Sequence, residues 1–361
     1  MSVTYQAVQW NKHKRVYDMI LALGVLAYIG VFVGVGMSLW SGDAAAHPVT
    51  LLMRATSTGA FVMLTLILAI GPLARLSDRF SPLLYNRRHM GVTMFLVAFI
   101  HGVLAIFWYH GFGVVNPIVS VFTSNANYLS AQGQGWQGWL AGFPFQPLGV
   151  IALAGLFLMA ATSHDFWLKN LSPRVWKNLH TLVYFAYALL IMHITLGYLQ
   201  DEVHSIYAAL LGVSVLLIAL LHLAAGIKEA RKDNSDKAEV DGWADVAGVD
   251  DIPEGRAHIV CLQGKERIAV FKHGNKVSAV SNVCAHQNGP LGEGKVVNGC
   301  ITCPWHGYQY LPENGQSPPP FNEKIPTYQV RIVDQRIQVN PSPNEPGTPV
   351  QPAVIGGETD A

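Results

Sequence analysis

Charge is what this chain has least of. Of its 361 residues only 13% are Asp, Glu, Lys or Arg, whereas 51% are hydrophobic; an ordinary soluble domain carries about 25% charged residues. From His89 to His164 there is not one of those four residue types, which excludes a water-soluble globular fold for that stretch. The formal net charge is +1, so there is no strongly basic surface for nucleic acid or another acidic polymer. Cysteine is scarce as well: Cys261, Cys284, Cys300 and Cys303 are all there are, and all lie in the last third. No disulfide framework can therefore brace the remainder. A dinucleotide site is missing too. The Gly-x-Gly-x-x-Gly at Gly133–Gly138 lacks the strand–turn–helix setting that dinucleotide binding needs.

What the chain has instead is length in apolar runs. Crossing a bilayer takes about 20 residues, and suitable runs lie near 17–40, 49–71, 90–109, 148–163, 176–199 and 204–227. The fourth is short unless Trp139 to Pro147 extends it. These runs predict an all-α membrane bundle of six helices over 1–227, a polar linker at 228–241 and a second domain at 242–340. Residues 341–361, rich in Pro, Gly and Thr, are expected to form a disordered tail. Basic residues mark alternate loops: Lys12, Lys14 and Arg15; Arg75, Arg79, Arg87 and Arg88; Lys169, Arg174 and Lys177; Lys228, Arg231 and Lys232. The intervening loops carry Asp43, Asp201 and Glu202. The positive-inside rule then sets a multi-pass protein of the inner (plasma) membrane with both termini cytoplasmic, where cysteines stay reduced. Ala44–Ala46 has the small residues of a signal-peptidase site, but the apolar run before it is too long for a signal sequence.

The second domain contains Cys284-Ala-His286, sixteen further residues, then Cys303-Pro-Trp-His306. Two matched Cys/His pairs suit a Rieske-type [2Fe–2S] cluster, which takes two thiolates on one iron and two imidazoles on the other. Gly289, Gly292, Gly294 and Gly307 let the two loops close. A zinc site, or Cys300 and Cys303 acting as a redox dithiol, are the alternatives. The flanks, Cys284 to Leu291 and Cys303 to Tyr310, resemble a Rieske ferredoxin, as do Trp243 and the Pro318–Pro320 run. That resemblance spans about 242–340 and implies a small all-β domain with Cys284, His286, Cys303 and His306 as metal ligands. Rieske proteins of cytochrome bc complexes carry a further cysteine pair, and Gly289 and Trp305 stand at the corresponding positions here. The hydroxyl that would bond a bridging sulfur is replaced by Tyr308, while Tyr310 is placed to reach a cysteine sulfur. Fewer hydrogen bonds to sulfur lower the potential, into the lower half of a range of about −150 to +300 mV.

Histidines inside membrane helices are costly and by default functional. His89 and His101 lie in the third run, His180 and His193 in the fifth. Their separations of 12 and 13 residues correspond to about 18 and 19.5 Å of helix rise. Two parallel helices thus offer imidazoles at two depths, which suits two b-type haems, or one if His89 is only a solvated neighbour of Arg87 and Arg88. Steps of 12 and 13 residues do not return to the same helix face, so the helices must bend or the haems differ in azimuth. Arg54 is positioned to neutralise an outer haem propionate or to snorkel to the interface, and Arg87 and Arg88 to neutralise an inner one. His164, His204 and His222 sit at run ends and are not expected to be ligands; His258 and His273 read as surface residues.

Arg87-Arg88-His89-Met90-Gly91-Val92 with His101, then Thr162-Ser163, Trp176-Lys177-Asn178-Leu179-His180 and His193, resemble the ferric reductase-like transmembrane domain. That superfamily includes ferric reductases, NADPH oxidases and the haem subunit of the bacterial methionine-sulfoxide reductase system. The resemblance spans about 50–200 and implies that His101, His180 and His193 bind haem; His89 is an inference from spacing. Ferric reductases continue into a flavin and nicotinamide module, and here the Rieske-like segment stands in its place. His47-Pro48-Val49-Thr50 imitates the flavin-binding tetrapeptide on the wrong side of the membrane. The expected function is transmembrane electron transfer from a cytoplasmic NAD(P)H-dependent reductase or ferredoxin to ferric chelate, oxygen or a periplasmic redox protein. A quinone-linked oxidoreductase, with a pocket in the loop from His110 to Gln146, and a subunit dedicated to one partner enzyme are the alternatives. The chain has no room for the separate catalytic domain of a Rieske oxygenase.

Overall fold

The computed structural model describes residues 12–39, 47–84, 86–111, 116, 119, 121, 145–163, 167, 171, 173–197, 199, 205–233, 239–240, 242–262, 267–286, 288–305 and 307–356. They form two compact units. One holds Lys12–Ala69 and Asn86–Leu220; the other includes Ile70–Tyr85 and Leu221–Ala361.

The first unit is helical. Its elements are α1 (Lys12–Leu39), α2 (Pro48–Leu76, whose last turns belong to the second unit), α3 (Arg87–Ile106, continued by a π turn at Phe107–Gly111), α4 (Gln146–Ala161), α5 (Pro173–Leu196) and α6 (Ser205–Asp233, likewise shared). In lipid every backbone polar group must be satisfied internally, and a continuous apolar run does this as a helix. Proline marks several starts: Pro48, Pro147 and Pro173 lie in the first turns of α2, α4 and α5, where the missing N–H costs nothing. His47 caps α2, its Nδ1 accepting the Val49 N–H at 3.2 Å, so the His47–Thr50 tetrapeptide is a helix start. Among the described residues five helices are long and apolar enough to cross a membrane, and α4 is shorter. Its 16 residues rise about 24 Å against roughly 30 Å of hydrocarbon; of the proposed extension, 139–144 lie outside the described residues. α2 is central: 44% of its most apolar window is buried, against 6% for α1. α4 packs between α5 and α3, and α1 touches α3.

Among the described residues the second unit has three antiparallel sheets. β1 (Glu239–Val240), β2 (Trp243–Gly248), β11 (Arg336–Val339) and β10 (Val330–Val333) form the first. The second runs β12 (Ala353–Val354), β5 (Lys276–Ser281), β4 (Arg267–His273), β3 (Ala257–Cys261), with β9 (Thr327–Tyr328) also on β5. The third, β6 (Lys295–Val297), β7 (Cys300–Thr302) and β8 (Gln309–Tyr310), carries the site. The strand β5 is buried along all but its first residue because both its faces are used. Val277 and Ala279 join a core with Ile252, Ile268, Val270 and Ile337, while Val280 joins Phe271, Leu291, Ile301 and Tyr310 in another. Each such fully buried side chain is worth about 1.5–3 kcal/mol.

Two boundary expectations are corrected. The segment from Lys228 to Asp233, expected to be linker, is the last part of α6. The expected disordered tail is ordered through Gly356: Ala353 and Val354 pair with Val277 and Lys276 of β5, and Val350 N–H donates to Glu313 O at 2.7 Å. A segment with little apolar bulk is held here by backbone hydrogen bonds along an open strand edge, which composition does not report.

Candidate functional site

Between β5 and the short 3₁₀ turn Leu291–Glu293 lies the first Cys/His loop, and between β7 and β8 the second. The two loops repeat one hydrogen-bond pattern. Cys284 N–H donates to Gly289 O (2.9 Å) and Cys284 O accepts from Asn288 N–H (2.7 Å); Cys303 N–H donates to Tyr308 O (2.8 Å) and Cys303 O accepts from Gly307 N–H (2.9 Å). The fourth residue after each cysteine has positive φ, 57° at Asn288 and 71° at Gly307, the region open to Gly and tolerated by Asn. The loops adjoin each other. A Cβ on Gly289 would lie 2.6 Å from Cys303 Sγ, so a side chain there would push the loops apart.

Both cysteines are 1% exposed and share the core with Leu291, Ile301 and Tyr310. Tyr310 Oη accepts the His286 N–H at 3.2 Å and sits 3.3 Å from Cys284 Sγ. Burial above all, then the neighbouring Cys284, drives the Tyr310 pKa far up. Its single proton therefore remains in place to donate to sulfur. Tyr308 stacks on His286 at 4.5 Å with 6° between planes and donates its hydroxyl to Glu323. His306 lies outside the described residues. Cys300 is buried on β7, and burial, followed by Glu313, pushes its thiol pKa up. That is the behaviour of a core thiol and not of a redox dithiol nucleophile.

In the helical unit His101 Nδ1 lies 3.1 Å from Met53 O of α2, His193 Nδ1 2.9 Å from Phe145 O before α4, and His180 Nδ1 3.1 Å from Trp176 O one turn back. A carbonyl oxygen only accepts, so Nδ1 carries a hydrogen in each ring; this leaves the Nε2 lone pair to His101 and His193, whereas His180 Nε2 has a further polar neighbour. This is the arrangement of metal-ligating histidines, whose second nitrogen is tied to a protein acceptor. The ring of Trp176 stacks on His180 at 3.8 Å, and Ser163 Oγ lies 3.5 Å from its Nε2. Gly149 of α4 faces His193: a Cβ there would lie 2.8 Å from the ring.

His89 is different. Its Nδ1 lies 2.9 Å from Asp18 Oδ1 of α1. Helix geometry explains the difference. At about 100° per residue, His89 lies roughly 120° around α3 from His101, whereas Arg87 lies only about 40° from it. His89 is thus tied at Nδ1 to a carboxylate of α1, an acceptor that also orients metal-ligating histidines, and lies on a different face of α3 from His101. Arg87 and Arg88 are half-buried and Arg54 is exposed on α2.

Sequence reasoning passed over Asp18, the lone acidic residue of the first apolar run, which the membrane cost of a carboxylate should have singled out. Nothing in the sequence pointed to the Met53 and Phe145 carbonyls.

Together these features define a membrane-spanning helical domain joined to a β domain with a two-loop Cys/His site. Residues 242–329 match the Rieske [2Fe-2S] domain and residues 56–191 the ferric reductase like transmembrane component. The anthranilate 1,2-dioxygenase ferredoxin subunit of Burkholderia cepacia is 31% identical over 99 residues, 27% of this chain and 91% of that protein. The ferredoxin component of the naphthalene 1,2-dioxygenase/salicylate 5-hydroxylase systems of Ralstonia sp is 33% identical over 98 residues, 27% and 93% of the two chains. The protein-methionine-sulfoxide reductase heme-binding subunit MsrQ of Bordetella pertussis is 28% identical over 182 residues, 50% and 75% of the two. The chain belongs to the Rieske family through its C-terminal part, fused to a ferric reductase-like transmembrane domain.

Proposed function

We propose that the chain relays single electrons across the inner membrane, from a cytoplasmic donor at its Rieske domain to an acceptor on the far side. Cys284 and Cys303 would hold one iron of a [2Fe–2S] cluster, and His286 and His306 the other. His101 and His193 would hold one b-type haem, and His89 and His180 a second. When bound, these groups accept and give up one electron at a time, without hydride chemistry. The protein's part is to hold and tune. Tyr310 steers its hydrogen toward Cys284 sulfur, the core around Leu291 and Ile301 excludes water, and Arg87, Arg88 and Arg54 offer positive charge to haem propionates. The observation that supports the reading is the placement of His101 and His193, each with Nδ1 tied to a backbone carbonyl 48 residues away, which leaves Nε2 for a metal.

The basic loops support cytoplasmic termini. A one-electron Rieske centre calls for a separate NAD(P)H-dependent reductase or ferredoxin as donor. Ferric chelate, oxygen, a periplasmic redox protein and quinone are the acceptor classes, the loop proposed for quinone lying almost wholly outside the described residues. The likeness to a haem-binding subunit favours a second reading, an electron-transfer subunit dedicated to one partner enzyme. Sealed right-side-out vesicles test both. An enclosed donor should reduce an impermeant external ferric chelate, and Cys284→Ser should abolish this while dithionite still reduces the haems. Activity that appears only with an added periplasmic protein supports the dedicated subunit; entry of electrons at the Rieske domain from outside overturns the topology.

A further inference from the structure

Two consecutive residues of α6 reach separate targets within the second unit. Lys228 Nζ donates to the carbonyls of Arg75 (2.8 Å) and Leu76 (3.2 Å), the last residues of α2, where a cation suits the helix dipole. Glu229 accepts from the guanidinium of Arg267 at the start of β4. Arg75 in turn donates through Nε to Glu293, 3.3 Å away in the 3₁₀ turn after the first Cys/His loop. Buried Asn282 joins the two β-domain ends of this arrangement. Its N–H donates to Arg267 O (2.8 Å), its carbonyl accepts from Leu291 N–H (2.9 Å) and its Oδ1 accepts from Gly292 N–H (2.7 Å). The contacts therefore close a ring, from α2 through α6, β4, Asn282 and the 3₁₀ turn back to α2. The first ligand loop, Cys284 to Pro290, is spanned by that ring.

The sheets have two apolar cores of their own, so this ring is not what holds them folded. Its ion pairs are partly open to solvent: side-chain exposures are 39% and 14% for Arg75 and Glu293, and 30% and 17% for Arg267 and Glu229. Pairs of that exposure hold geometry weakly and yield to salt.

We propose that Arg75, Lys228, Glu229, Arg267 and Glu293 are positioning residues, an ionic clamp that fixes the first ligand loop against the ends of α2 and α6 so that electrons leave the Rieske centre at a set distance. The inference rests on the relay reading above. The test uses the full chain with its cofactors in lipid nanodiscs, with nitroxide labels at Ser77→Cys and Asn275→Cys. Pulsed dipolar EPR reads the label separation, and flash reduction of the cluster reads the rate of haem reduction. Arg75→Glu and Glu293→Arg should each broaden the distance distribution and slow haem reduction on the order of tenfold, because charge reversal turns attraction into repulsion. The cluster EPR signal should stay unchanged. The double variant should restore both readouts, and in the unaltered clamp the rate should fall as salt rises. Singles with native distances and rates, a double no better than the singles, or broadened distances with native rates would overturn the clamp. Distances that respond while no haem is reduced even in the parent protein would instead overturn the relay and leave the clamp standing.

Discussion

In the β unit each cysteine is fastened by hydrogen bonds that open and close within its own loop, Cys284 to Gly289 and Cys303 to Tyr308. In the helical unit His101 and His193 are each fastened to a carbonyl 48 residues away. The Rieske site is thus local in sequence and depends on turn chemistry, on positive φ at Asn288 and Gly307 and on the bare Cα of Gly289. The proposed haem site at His101 and His193 is non-local and depends on which helices pack together. Damage to a loop should remain in that loop; damage to helix packing should reach a histidine far away in the chain.

The largest expected effect tests the independence of the two units. His286→Ala or His306→Ala should eliminate the rhombic Rieske EPR signal of the reduced protein while haem absorbance stays unchanged. Loss of both signals together would mean that the two units fold as one. Next in size is the haem held across helices. His101→Ala and His193→Ala should each remove the same spectral component, and Gly149→Ala should weaken it by displacing the His193 ring, as read by pyridine haemochrome and redox-titrated spectra. Removal of different components would break that pair.

A sharper test concerns the second pair. His180→Ala and His89→Ala should each lose the second haem, as read by pyridine haemochrome. Haem retained in His89→Ala would remove that residue from the ligand set and leave it as the partner of Asp18. The smallest effect is a shift. Tyr310→Phe removes one hydrogen bond to sulfur, and a bond worth about 1 kcal/mol should lower the cluster midpoint potential on the order of 50 mV with the EPR signal retained.

The sequence made some of this arrangement readable and hid the rest for identifiable reasons. The Cys284/His286 and Cys303/His306 pairs were legible as a proposed ligand set because cluster ligation demands short, fixed spacing, and the expected reach of Tyr310 to a cysteine sulfur is met at Cys284. Among the described residues each of the six apolar runs carries a helix, five of them long enough to cross a membrane, since lipid leaves the backbone no alternative. Counting residues along α3 placed His89 at a useful depth but said nothing of direction. Direction is set by the helix that packs against each face, and Asp18 claims the face that His89 occupies. The tail from Pro341 was unreadable because its order comes from backbone pairing, for which side-chain composition carries no signal.

That pairing has a practical consequence. The outer edge of β5 is covered by two short strands end to end, β9 on Ala279 and Val280 and β12 on Lys276 and Val277. A soluble Rieske fragment cut where the apolar residues thin out, near Asn340, would strip half of that edge and leave a template for strand addition between molecules. A fragment carried through Gly356 keeps its own blocking strand, and should stay monodisperse at concentrations where the shorter one self-associates.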